Sequence, residues 1–169
     1  MANQASSDAG PLRVLGIDPG TRVVGWAVLD QHKGRLSLVA TGVIRCNHKV
    51  YAQRLAQVLA GLRQVIAAHK PAQAAVEEAF SGKNPRTALV IGEGRGVALA
   101  ALGEAGLPVA AYPARTIKRC VAGAGAADKQ AVARMVALQL GLAKLPEPHD
   151  ASDACAVAIT HCVRKVLPR

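Results

Sequence analysis

The 169-residue sequence predicts one α/β domain built on a five-stranded mixed sheet flanked by helices. Three observations predict it. Three β-rich segments separated by turn residues open the chain between Leu12 and Cys46. Helical and strand-like segments then alternate, and the chain beyond Pro113 is helical in pattern. Apolar residues make up 51% of the chain, enough to build a core.

The first strand is expected over Leu12–Ile17 and the second over Val23–Leu29, joined by "DPGT", whose Pro and Gly suit a tight turn. The third, Arg35–Cys46, is rich in β-branched residues and follows Gly34, so the three strands form a meander. From Ala52 to His69 the period changes. Leu55, Leu59, Leu62 and Ile66 recur every three or four residues, as on an amphipathic helix that Pro71 ends. Ala74–Phe80 is a short buried strand, followed by a "SGKNPR" loop. Thr87–Ala105 is a helix carrying Gly92, Gly94 and Gly96, each costing roughly 1 kcal/mol against alanine. A close approach of another helix or of backbone is expected to offset that cost. Leu107–Tyr112 is the fifth strand, and helices follow over Ala114–Val121, Lys129–Leu140 and Asp150–Val166. Residues 1–10 are expected to be a short disordered tail, and 11–169 a single domain.

The charge is lopsided, with 21 Lys and Arg against 11 Asp and Glu and a formal net charge of +10. Because the basic residues are spread along the chain, they imply a folded basic surface that meets a polyanion, most often nucleic acid. No apolar run approaches the ~20 residues that span a bilayer, and the N-terminus lacks a secretory pattern. Cys46, Cys120, Cys155 and Cys162 show no CxxC spacing, so they read as reduced, mostly buried thiols of a cytoplasmic protein rather than as zinc ligands.

Four acids close apolar strands or open an apolar helix: Asp18, Glu77, Asp150 and Asp153. Each has an ordinary structural explanation. Asp-Pro-Gly is a good turn, Glu77 and Glu78 can be solvated, and Asp150 can cap a helix with Asp153 on the same face. Jointly they say more. If the first and fourth strands are parallel neighbours, Asp18 and Glu77 emerge at one edge, where a helix starting nearby adds Asp150 and Asp153. Such a cluster in a basic surface is what divalent-metal cleavage of a phosphodiester requires, since packed carboxylates without cations repel one another and the nucleic acid.

Five stretches, "LGIDPGTRVVGWAVLD", "AVEEAFSGKN", "GEGRGVALAAL", "ARTIKRCVAGAGAADKQAV" and "DASDACAVAITHC", lie in the order found in one family. Through them the chain resembles RuvC-type Holliday-junction resolvases of the ribonuclease H-like superfamily over nearly its whole length after the tail. The resemblance implies a ribonuclease H-like fold and a cytoplasmic homodimer acting in recombination and DNA repair. It implies paired symmetric nicks in opposed strands of a four-way DNA junction, with two Mg2+ or Mn2+ ions per active site. It further implies a partnership with a branch-migration motor complex of the RuvA and RuvB type. The family's catalytic and metal-holding carboxylates fall on Asp18, Glu77, Asp150 and Asp153. Glu78 has no catalytic counterpart, and His149 departs from the pattern: it is either a solvated histidine before the helix, the simpler reading, or a group that touches the metal site.

Phe80 is either a core phenylalanine or an aromatic that stacks against unpaired bases at the crossover. The resemblance favours the second. Lys118 and Lys129 match basic positions near the scissile phosphate, while Lys83, Arg86, Arg115 and Arg119 are further candidates for backbone contact. "GEGRG" is not a phosphate loop; in the family its helix helps form the dimer interface. Three rival readings predict different behaviour. A sugar-kinase-like ATPase needs two such domains and a second phosphate loop. A non-catalytic DNA-binding module would bind junctions without cutting them. A related nuclease would act on ribosomal RNA precursors or RNA–DNA hybrids.

Overall fold

The computed structural model describes residues 10–78 and 85–166. The expected tail, residues 1–9 of it, lies outside the described residues, as do Phe80 and Lys83. The elements follow the expected order: β1 (Leu12–Asp18), β2 (Val23–His32), β3 (Arg35–Arg45), α1 (Tyr51–His69), β4 (Gln73–Glu77), α2 (Pro85–Glu104), β5 (Val109–Tyr112), α3 (Ala114–Ala122), α4 (Lys129–Gln139) and α5 (His149–Val166).

The strands form one sheet in the order β3-β2-β1-β4-β5. β1 is central, antiparallel to β2 and parallel to β4, and β4 is parallel to β5. Val14, Leu15 and Ile17 are fully buried although they point to opposite faces, as in a strand covered on both sides. The β2–β3 hairpin turns through Lys33 and Gly34, both at positive φ (48° and 79°), the geometry that matches the twist of adjoining strands.

Strand alternation sorts the core into two layers. Leu15, Ile17, Val28 and Val76 pack with Val58 and Leu62 of α1 and Leu102 of α2. Val14, Ala27, Leu29 and Ala75 face the other way, onto α3, α4 and α5 through Ile117, Val136 and Ile159. The period-2 count therefore points Asp18, two residues beyond Gly16, toward the α5 face. Glu77, two beyond Ala75, points the same way, and Glu78 points away.

β4 ends earlier than the expected Phe80. The Glu78 N–H donates to the Tyr112 carbonyl at 2.9 Å as the last rung, because β5 ends at Tyr112 and the chain turns through Pro113 into α3 at Ala114. A second correction concerns Asp150. Helix α5 begins at His149, so Asp150 lies within the first turn rather than at the cap, and the Ala151 N–H donates to the Pro148 carbonyl at 2.9 Å. The acid still suits the helix dipole there.

The glycines of α2 behave differently from one another. A β-carbon at Gly94 would stand 2.6 Å from the Gly20 carbonyl oxygen, so this glycine lets the helix sit against the β1–β2 turn. Gly92 and Gly96 face open space. The expected close approach thus holds at one position of three, and the neighbour is a turn. Cys46, Cys155 and Cys162 are buried and Cys120 partly so, all as free thiols.

Helix α5 lies closer to the sheet than ordinary side chains allow. A β-carbon on Gly16 would collide with the Ala154 carbonyl and stand 2.7 Å from the Ala158 nitrogen; one on Gly25 would collide with the Asp150 carbonyl. Backbone cannot rotate aside as a side chain can. Gly25→Ala is therefore expected to lower stability by about 1–3 kcal/mol, the usual cost of overpacking, read as a reduced urea midpoint at unchanged slope.

Candidate active site

At the C-terminal ends of β1 and β4 the described residues enclose a cavity of about 130 Å3. Asp18 and Glu77 enter it from the sheet, Asp153 from α5, Lys118 from α3 and Lys129 from the start of α4. Its apolar lining comes from Ala114, Ile117, Val132 and Ala156. Ligand sites of open α/β sheets collect outside such strand ends, where neighbouring connections leave in different directions.

Each side chain arrives by a local cause. Ile17 pairs with Val76, which sets Asp18 and Glu77 side by side one step further along parallel strands. The gaps at Gly16 and Gly25 admit α5 backbone, bringing its first turns against the same strand ends. Asp128 caps α4 by accepting from the Ala131 N–H at 2.7 Å, so the helix starts at Lys129. Gly123, at φ 77°, terminates α3 one turn after Lys118 and Arg119.

The electrostatics are those of crowded acids. Asp18 is pushed up to about 8, first by burial, then by the charges of Glu77, Asp153 and Asp150, with Lys129 opposing. Glu77 is raised by burial and by Asp153, against Lys129 and Lys118. Lys129 donates to the Asp153 carboxylate at 3.0 Å and is itself held above its ordinary value by that bond. Among the described residues no three acid, histidine or cysteine side chains close on a single point as a finished metal site.

Of the residues the sequence singles out, Asp18, Glu77, Asp153, Lys118 and Lys129 line the cavity together. Asp150 is not among the described lining residues, although its charge reaches Asp18. His149 is exposed and likewise absent from that lining. Arg86 is exposed in the first turn of α2, and Arg119 is exposed on α3. Arg115 is exposed too, its side chain crossing the glycine loop close to Gly125. Sequence reasoning passed over Gly16 and Gly25. The signal was present, because a glycine inside a strand marks close approach of another backbone.

The raised acids have a consequence for stability. Asp18 holds its proton in the folded chain up to about pH 8 and loses it near the ordinary 3.8 when unfolded. The folded state therefore binds more protons between these values, and stability falls as pH rises through that window. In chelator, the protein is expected to lose up to about 5 kcal/mol between pH 4 and 8 through this group. Asp18→Asn should flatten that slope and be more stable than the parent at pH 8, read by thermal unfolding across pH.

The family model described as "Crossover junction endodeoxyribonuclease RuvC" matches residues 14–161. The crossover junction endodeoxyribonuclease RuvC of Chloroflexus aurantiacus is 48% identical over 151 residues, covering 89% of this chain and 92% of the relative. Among solved structures, Thermus thermophilus RuvC in complex with a Holliday junction substrate superposes with a TM-score of 0.84 at 33% identity, covering 91% of this chain and 94% of that one. The yeast mitochondrial Holliday junction resolvase Ydc2, at 14% identity and a TM-score of 0.60, shares the fold. With the family model, the sequence relative and the superposed structure in agreement, the chain belongs to the RuvC family of crossover junction endodeoxyribonucleases.

Proposed function

We propose that this protein is a structure-selective endodeoxyribonuclease that resolves four-way DNA junctions by metal-dependent hydrolysis, serving recombination and DNA repair. The observation that carries the reading is the convergence of Asp18, Glu77 and Asp153 with two lysines in one cavity at the strand ends. The donor set fits a hard divalent cation. It offers carboxylate oxygens, and burial together with the neighbouring acids raises Asp18 to about 8, a cost that a bound cation would offset.

Asp18, Glu77, Asp150 and Asp153 would hold the ions, two in number by the family resemblance, either Mg2+ or Mn2+. Such ions supply an activated water and stabilise the leaving oxygen of an in-line displacement. Asp18, at the end of the central strand beside Glu77 and below α5, would be the central ligand. Lys118 and Lys129 offset the charge of the scissile phosphate. Hydrolysis would add water to phosphorus and break the bond to the 3′ oxygen, which would take up the proton the water gives up, so that the nick carries a 5′-phosphate and a 3′-hydroxyl.

The substrate's near two-fold symmetry suits a homodimer with two such sites. Helix α2 supports that assembly. Leu89 is 65% exposed, and Gly92, Gly96 and Gly103 face open space on the same side of the helix, leaving a smooth strip for a second backbone. Exposed Arg86 and Arg115 would contact the DNA backbone, while Phe80 and Lys83 take their roles at the crossover from the resemblance. The resemblance also assigns a branch-migration motor of the RuvA and RuvB type as partner. Among the described residues no helix is long and apolar enough to cross a membrane, and action on DNA, as read from the similarity to bacterial relatives, fits a cytoplasmic place. Residues 11–169 would form the nuclease domain.

The test is cleavage of a labelled synthetic four-way junction beside a linear duplex and an RNA–DNA hybrid. Paired symmetric nicks are expected in the junction alone, abolished by chelator. Asp18→Asn should bind the junction with unchanged affinity and not cut it. Binding without nicks under every divalent metal would leave a junction-binding module.

A further inference from the structure

The cavity already holds a cation, and it belongs to the protein. Lys129 donates to Asp153 at 3.0 Å. Its charge also acts on Asp18, Asp150 and Glu77, so one ammonium is shared among the four acids. Lys118 lines the same cavity from α3 and acts on Glu77 through space. The two lysines are thus not equivalent. Lys129 occupies Asp153, one of the proposed metal ligands, and in this arrangement no three acids close on a single point.

We propose that Lys129 is a stand-in cation: it bridges to Asp153 while the site is empty of metal, is displaced when a divalent ion takes Asp153, and is thereby released to meet the scissile phosphate. The inference rests on the metal-site reading above. It is an ion exchange in which Lys129 stays protonated throughout and no bond to hydrogen is broken. Its reach permits both positions. The lysine side chain is 75% exposed while Asp153 is 24% exposed, so the flexible partner is at the mouth and the anchored one inside. The device gives an order to events. Before metal arrives, the ammonium lowers the repulsion among the acids; afterwards, a positive charge is freed at the cavity mouth where the substrate's negative charge must enter.

The exchange is tested without cleavage. Mg2+ is titrated into the DNA-free protein by calorimetry and, in parallel, the Lys129 ε-methylene resonance is followed by NMR, assigned by its loss in Lys129→Met. Mg2+ should increase the mobility of that group with the midpoint of the binding heat, because the ammonium leaves its carboxylate. In the second arm, Lys129→Met and Lys118→Met are compared by the same calorimetric titration in one buffer. Both variants lose a through-space repulsion of the metal, but Lys129→Met also loses a competitor for Asp153. It should bind Mg2+ about two- to fivefold tighter than Lys118→Met, the range of a partly exposed ion pair. Normal Mg2+ heat with a Lys129 group that stays immobile, or equal affinities in the two variants, would overturn the exchange and leave the metal site standing. Absence of Mg2+ heat in the parent, or the same heat in Asp18→Asn, would overturn the metal site and the exchange together.

Discussion

The whole site depends on backbone lying against backbone where α5 crosses β1 and β2. Gly16 and Gly25 leave gaps in the sheet, and the Ala154 and Asp150 carbonyls of the helix settle into them. The helix contributes small residues to the same seam: Ala151, Ala154 and Ala158 are fully buried. Tight packing of this kind transmits position, because a dense interior yields little to displacement. The first turn of α5 is thereby held at the end of β1, and its acids arrive beside Asp18. A helix standing off by one ordinary side chain would carry Asp153 out of the cavity.

That seam concentrates negative charge in a protein whose net charge is +10. The two facts serve one another. The basic surface draws in a polyanion over distances of about a Debye length, while the acids, desolvated and crowded, are the place where divalent cations would relieve the strain of like charges. Lys129 links the two roles. Counted among the basic residues in the sequence, it is bonded to an acid in the fold. Two other ion pairs among the described residues are remote from the cavity: Arg13 holds Asp30 at the far end of the β1–β2 ladder, and Arg63 holds Glu104 between α1 and α2.

The supporting structure is organised around the same end of the sheet. The turn after Asp18 rests on α2 at Gly94, so the helix that offers a smooth outer strip on one side bears on the Asp18 turn with the other. Further along the α5 face, the Tyr112 hydroxyl bonds His161 Nδ1 at 2.9 Å, and His161 Nε2 meets Gln73 Oε1 at 2.9 Å. These contacts tie β5, α5 and β4 together below the acids. Tyr112 is structural here.

Much of this was legible in the residues. The order of elements follows from period: three or four in Leu55, Leu59, Leu62 and Ile66, two in the strands. The candidacy of Asp18, Glu77, Asp150 and Asp153 follows from acids closing apolar segments in an acid-poor chain. Pairing of β1 with β4, which joins Asp18 to Glu77, could only be stated as a condition, because a strand's neighbours are chosen by the burial of both its faces across the whole sheet. Where β4 stops was decided by where its partner β5 gives way to α3, and whether Asp150 caps α5 was decided by the turn before it. The Lys129–Asp153 bond joins residues 24 apart on two helices, and no local pattern announces it. Sequence by itself determined which groups were available and which local conformations carried them. Tertiary structure decided which groups meet, because proximity between distant segments is set by packing, and here by the absence of two side chains at Gly16 and Gly25.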